Sequence, residues 1–325
     1  MTTQHRTVHL VSVGVSLFDN LQRGRQELID GLGIDRALAK RIRAAEKELR
    51  DPESEGFPAE ESAKQAAWLR EVTAPGSGTE RQRLEKLLKE IEPENWPARA
   101  SAELTALAVH RSGSGIPPAD TVVLLASDTG RGLRAALFNA AALAGGDLKR
   151  VRYLHDPSDE IAAMRGDIVI ARLPGLDVGN DEGFTEAMRG LGDIGRGVDR
   201  LLRPGDTEAA LHLSGGFKAA LPFLLGLGEA LRSLRGPTKV KAYAVHELDP
   251  DQRAVELPLR HLPATLLEKQ LADAGDNGYF RKAPPDDQPL DGFAYEQDDD
   301  GVNWRLTPFG HALRRLFPRK TRPEA

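Results

Sequence analysis

The sequence contains no cysteine. That absence excludes a disulfide scaffold, thiol catalysis, Cys-ligated iron–sulfur clusters and thiolate zinc sites. A chain that needs no oxidising compartment is read most simply as cytoplasmic. Long apolar runs are also missing: no stretch approaches the ~20 residues of a membrane span. The longest apolar region, Ala219 to Leu234, has Lys218 before it and Glu229 and Arg232 within it, and reads as a largely buried helix. No signal peptide is expected, because Met1 to Thr7 is polar and His9, Ser12 and Gly14 break the run from Val8 to Val15. Positive charge is not in excess. The formal net charge of −5 argues against a strongly basic duplex-binding protein, and leaves room for one small anion pocket. No internal repeat is present.

Several catalytic signatures are lacking as well. There is no G-x-x-x-x-G-K-[ST], no G-x-G-x-x-G after the first strand and no G-x-S-x-G elbow. The eight histidines show no His-Glu-x-x-His and no paired ligand spacing, so neither a metal nor a cofactor is expected. His212 reads as a satisfied core or edge residue of a strand. Arg305 and His311 are separated by five residues, a spacing found in helical ribonucleases of the HEPN type. Here Thr307-Pro308 interrupts the segment and no long helical domain surrounds it.

A length of 325 residues suggests about two domains at ~150 residues each. Val8 to Val13, Thr121 to Ala126, Arg150 to Leu154, Asp167 to Ala171 and Ala209 to Leu213 read as short apolar strands, with Lys239 to His246 and Ala254 to Leu257 as a closing pair. Helices are expected over Arg36 to Leu49, Glu80 to Ile91, Ser101 to Val109, Leu133 to Ala144, Glu182 to Leu202, Phe217 to Leu234 and Thr265 to Ala274. A last helix, capped by Thr307 with Pro308 at its first position, runs through Leu316. The alternation argues an α/β fold: a mainly parallel, doubly wound, Rossmann-like sheet. It carries a helical insertion over about 21–118 and a small C-terminal α+β element of winged-helix-like size.

In such sheets ligands bind beyond the carboxyl ends of the strands. Three strand–helix turns belong to that edge: Gly14 to Asn20, Ser127 to Gly130, and Ser214 to Lys218. Each carries small and hydroxyl residues, glycine permits close backbone approach, and helix N-termini suit phosphate. A cation at Lys218, in the first turn of its helix, opposes the helix dipole and asks for a compensating anion. Taken singly, each turn is also ordinary turn chemistry.

Taken together, the turns resemble a known family. Ser12-Val13-Gly14-Val15-Ser16-Leu17-Phe18-Asp19-Asn20 resembles the "SVGTSLL-N" motif of the CRISPR-associated Rossmann-fold (CARF) family. Ser101-Ala102-Glu103-Leu104-Thr105-Ala106-Leu107 is similar to its "SAE-NSL" helix, and Val123-Leu124-Leu125-Ala126-Ser127-Asp128-Thr129 to its "LL-SDT" turn. His212-Leu213-Ser214-Gly215-Gly216-Phe217-Lys218 resembles its "N-TGGFK" signature, the most specific of the four. The blocks span about residues 8 to 262, in order. Val15 and His212 stand where the family often has Thr and Asn, and Ser214 replaces Thr.

The resemblance implies a Rossmann-like domain over 1–263, a small element over 264–325, and a homodimer that binds a cyclic oligoadenylate across its two-fold axis. The ligand is most simply cyclic tetra-adenylate, the messenger class of type III CRISPR antiviral defence. The matching ligand-binding positions are Ser12, Gly14, Asn20, Ser127, Asp128, Thr129, Ser214, Gly215, Gly216 and Phe217. Ser16 and Lys218 are implied to act in catalysis. The segment after residue 263 reads as too short for the usual fused nuclease. Two functions are then expected: a metal-independent ring nuclease giving 2′,3′-cyclic phosphate ends, or a non-catalytic sensor acting through its C-terminal element. For nucleic-acid contact by that element, Arg314, Arg315, Arg319, Lys320 and Arg322 argue in favour and Asp298-Asp299-Asp300 against. Basic residues there also simply complement a helix dipole.

Overall fold

A computed structural model describes residues 6–22, 34–50, 58–76, 78–111, 116–154, 161–176, 181–203, 205–216, 218–245, 253–284 and 290–317. Seven strands form one sheet: β1 (Arg6–Val13), β2 (Thr121–Ala126), β3 (Val151–Tyr153), β4 (Ile168–Arg172), β5 (Thr207–His212), β6 (Val240–Val245) and β7 (Ala254–Leu257). Their order is β3-β4-β2-β1-β5-β6-β7. Every neighbouring pair is parallel except β6 and β7. The central strands lack polar alternation because helices cover both faces; β2, Thr-Val-Val-Leu-Leu-Ala, is buried throughout.

The chain builds outward from β1 in one direction to β2, β4 and β3, then returns to place β5, β6 and β7 on the other side. The topological switch therefore falls between β1 and β5, where α/β sheets open a crevice.

The helices are α1 (Ser16–Gln22), α2 (Arg36–Glu48), α3 (Pro58–Thr73), α4 (Thr79–Ile91), α5 (Ala102–His110), α6 (Gly130–Leu143), α7 (Asp181–Leu201), α8 (Leu221–Arg235), α9 (Ala264–Leu271) and α10 (Pro308–Leu316). Alternate residues of β1 serve opposite layers. Val11 and Val13 pack with Phe18, Leu104, Leu107 and Phe138. Val8 and Leu10 pack with Leu191, Ile194 and Leu227. The expected insertion appears as α2, α3 and α4, with α3 laid along α6. Arg134 of α6 is buried there, paired with Glu61 at 2.8 Å. Beside it, Arg43, Lys47, Arg50 and Arg131 face Glu46 and Glu61 around a cavity of about 490 Å³.

Several expected boundaries move, among them the end of α9, at Leu271 rather than Ala274, and two have identifiable local reasons. α6 starts at Gly130 rather than Leu133, because the Thr129 hydroxyl caps it by accepting from the Gly132 amide at 2.9 Å. α8 starts at Leu221 rather than Phe217. Pro222 lacks an amide hydrogen and its ring would clash with the carbonyl of Lys218, so a single 3₁₀ turn, Lys218–Ala220, precedes the α-helix.

The C-terminal element pairs β8 (Tyr295–Gln297) with antiparallel β9 (Trp304–Leu306). Phe309, Leu313 and Leu316 of α10 enter the same core as Leu191, Ile194 and Leu227. Among the described residues, no helix is long and apolar enough to cross a membrane.

Candidate functional site

Parallel register brings the turns after β1, β2 and β5 to one edge: Val13 pairs with Ala126, and Val11 with His212. Across the switch point the first and third turns touch backbone to backbone. A Cβ at Gly14 would lie 2.9 Å from the Gly216 nitrogen. Gly216 has φ of +89°, the left-handed region that side chains avoid, and a Cβ there would meet the Ser12 Cβ at 3.0 Å. Ser12 Oγ donates to the Gly215 carbonyl at 2.5 Å and the His212 carbonyl at 3.3 Å. Ser214 Oγ accepts from the Val245 amide at 2.8 Å. Ser12 and Ser214 thus hold the glycine turn between β1 and β6. Gly216→Ala is expected to cost about 1–3 kcal/mol, the usual penalty for a side chain held at such a φ. Denaturant unfolding checks this, and an unchanged midpoint would contradict it.

A residue absent from the sequence-based set organises the crevice. Ser101 caps α5 by accepting from the Leu104 amide at 3.1 Å, which puts Glu103 in the first turn. Glu103 is fully buried. Its Oε1 accepts from the Gly14 amide at 2.8 Å and its Oε2 from the Ser16 hydroxyl at 3.1 Å. Ser16 Oγ in turn accepts from the Ala102 amide at 3.2 Å. A Cβ at Gly215 would lie 2.5 Å from Glu103 Oε1, so the carboxyl reaches this position only across a glycine. Burial raises the Glu103 pKa, against the opposing pull of the Gly14, Ser16 and Ser101 hydrogen bonds. The available signal was its place in the Ser101-Ala102-Glu103 block, as the one acidic residue before the mainly apolar segment Leu104 to Val109.

The second turn is already braced. Asp128 accepts from Ser62 Oγ at 2.5 Å, Arg172 Nε at 2.7 Å and the Gly175 amide at 2.7 Å. Burial pulls its pKa up, but these bonds hold it below the usual carboxylate range. Asp128 therefore clasps α3 and the end of β4 to this turn. Ser127 Oγ and Thr129 Oγ1 lie 3.2 Å apart. Asn20 sits on α1 one turn beyond Ser16, on the same face. Lys218 is exposed and makes no hydrogen bond or ion pair with a described residue. It lies in the 3₁₀ turn, not in the first turn of α8 as the sequence suggested. Phe217 falls outside the described residues. Among the described residues the edge offers glycine backbone, hydroxyls and one cation without a partner, Lys218, a set suited to a phosphate-bearing ligand.

Three histidines scattered in the sequence meet beneath this edge. His9 of β1, His212 of β5 and His110 of α5 bring one ring nitrogen each within 4.8 Å of one another. Burial pushes His110 down to about 4 and His212 well below its ordinary value. Nothing in the local spacing signals this cluster, because parallel pairing alone aligns residues about two hundred positions apart.

In the C-terminal element, Arg305 and His311 line one cavity of about 310 Å³ with Asn277, Tyr279 and Glu296. Arg305 is engaged by Glu296 at 3.1 Å and Asp298 at 3.6 Å. Burial, with Arg189, Arg314 and Arg315 nearby, lowers His311 to about 4. Arg314 is tied to the Gly275 carbonyl and to Asp276, while Arg319, Lys320 and Arg322 fall outside the described residues. No protein-family model and no curated protein matches this chain.

Proposed function

We propose that the chain binds a cyclic oligoadenylate, most simply cyclic tetra-adenylate, across the two-fold axis of a homodimer, and opens the ring slowly without a metal. The carrying observation is the contact of Gly14 with Gly216 at the switch point, with the unpartnered Lys218 at the rim. The resemblance supplies the ligand class, and the partly accessible glycine and hydroxyl edge supplies the chemistry to hold its phosphates. A symmetric ring suits a dimer in which each protomer presents the same half-site.

In the proposed step a ribose 2′-oxygen attacks its neighbouring phosphorus in line with the 5′-oxygen, and the P–O5′ bond breaks. The 2′-proton is lost to solvent and the departing 5′-oxygen gains one. The products are linear, with a 2′,3′-cyclic phosphate at one end and a 5′-hydroxyl at the other. Lys218 stabilises charge on the phosphoryl oxygens, and Ser16, fixed by Glu103, orients the reacting segment. No histidine belongs to the three turns, which leaves the step without an evident general base and makes it slow.

The test is incubation of cyclic tetra- and hexa-adenylate with stoichiometric protein, with and without EDTA, followed by product analysis. Linear products ending in cyclic phosphate are expected in both arms. Opening confined to the EDTA-free arm, in protein whose melting temperature EDTA leaves unchanged, would exclude the metal-independent step. An intact ring that stays bound would convert the enzyme into a sensor, and an unbound ring would end the reading altogether.

A further inference from the structure

We propose that His9, His110 and His212 bind one first-row divalent metal ion of the zinc class, as a strut that ties β1, β5 and α5 together. His9 Nδ1 and His212 Nε2 are 3.1 Å apart. Zinc–imidazole bonds of about 2.0–2.1 Å put neighbouring nitrogens of a tetrahedral site about 3.3 Å apart, so this pair already approximates one edge. His110 supplies the third nitrogen from the last residue of α5. Its ring lies edge-on to His9 at 5.6 Å and to His212 at 5.1 Å between centroids, and makes no hydrogen bond with a described residue. Its ring nitrogen lies within 4.8 Å of both of the others.

The surroundings fix the proton as a metal site requires. Asp120 is buried and anchored by the Thr7 amide, which donates to Oδ1 at 2.9 Å. Its Oδ2 faces His9 Nε2 at 3.5 Å and Arg111 at 3.7 Å. An ionised carboxylate only accepts, so the His9 proton belongs on Nε2 and the Nδ1 lone pair points at His212. This is the carboxylate–histidine–metal order in which an outer carboxylate orients the ligand ring. In the metal-free chain His212 Nε2–H donates to His9 Nδ1 at 3.1 Å; metal binding through Nε2 moves that proton to His212 Nδ1, which is buried without a partner among the described residues. Three imidazoles without thiolate favour zinc, cobalt, nickel or copper over magnesium or calcium.

Two of the three ligands lie away from the turns at the sheet edge. His9 is five residues before Gly14, about 16 Å along an extended strand. His110 is seven residues beyond Glu103 on α5, about 10 Å at the helical rise. His212 is nearer, two residues before Ser214, with its carbonyl accepting from Ser12 Oγ at 3.3 Å, so a metal there sits directly behind the third turn. Its effect is to hold the helix whose other end places Glu103 on Gly14 and Ser16. The metal site is independent of the cyclic oligoadenylate assignment.

The full-length protein, stripped with a chelator and dialysed, is titrated with Co²⁺ and then Zn²⁺. One equivalent per chain is expected, with the intense visible absorption of four-coordinate cobalt, lost when zinc displaces it, and a rise in melting temperature. Asp120→Asn is expected to weaken metal affinity about 10–100-fold, as removal of an outer carboxylate does. His110→Ala is expected to abolish the cobalt signal, and His261→Ala, at an exposed histidine elsewhere, to leave it intact. A pale six-coordinate cobalt spectrum on the wild-type protein overturns the proposal even if every variant misfolds. So does an affinity unchanged in both His110→Ala and Asp120→Asn.

Discussion

Lys218→Ala is expected to lower the single-turnover rate of the proposed ring opening about 10²–10³-fold, the loss found when one preorganised charge-stabilising group is removed. It leaves stability within about 0.5 kcal/mol, as surface substitutions do. Both halves follow from its position. Lys218 is exposed and pairs with no described residue, so the fold spends no interaction on it. It also lies two residues beyond Gly216, in the single 3₁₀ turn that leads from the glycine turn into α8. Binding is expected to weaken less than cleavage, because the charge to be stabilised grows during phosphoryl transfer. Lys218→Arg, which keeps the charge, should retain part of the rate. Titration of labelled cyclic tetra-adenylate separates binding from chemistry, and an unchanged rate in Lys218→Ala would remove this residue from the mechanism.

Glu103→Ala produces the largest loss of stability among the site residues, about 2–5 kcal/mol. The Gly14 amide and the Ser16 hydroxyl lose their acceptor in the interior, and a side-chain-sized void opens. Glu103→Gln behaves differently. An amide accepts from Gly14 through its oxygen and donates to Ser16 through its nitrogen, so the network survives with one hydrogen bond reversed. The pH dependence provides an independent check. Burial raises the Glu103 pKa above its ordinary 4.5, so the folded chain holds this proton more tightly than the unfolded one. The stability it contributes is fully present below the ordinary value and is lost as pH rises through the raised one. Relative to wild type, Glu103→Gln should therefore gain as pH increases. Urea unfolding between pH 4 and 8 measures this, and equal losses in the Ala and Gln variants at every pH would contradict it.

Much of the sheet was legible because each strand carries its own signal. Thr121 to Ala126 and Ala254 to Leu257 match the observed β2 and β7 residue for residue, since branched and apolar side chains in short bounded runs favour extended backbone. α10 was equally clear from Thr307 and Pro308, where cap and first-turn proline act within four residues. The start of α8 was misplaced because the apolar run from Phe217 hid the effect of Pro222 on the turn before it. Gly14 and Gly216 stood out in the sequence, but not the reason that both must be glycine, which is their contact with each other.

By itself, then, the sequence determined the elements, their α/β alternation, the glycine and hydroxyl turns, and the absence of thiol chemistry. These depend on propensities and patterns that act over a few residues. Only the tertiary structure decided what those turns are fastened to. It set Asp128 to clasp α3 and β4, buried Glu103 between the first and third turns, and gathered His9, His110 and His212 under the edge. Each of these depends on strand register and on a helix laid across the sheet. Contacts between residues about forty to two hundred positions apart are fixed by packing, and no local pattern encodes them.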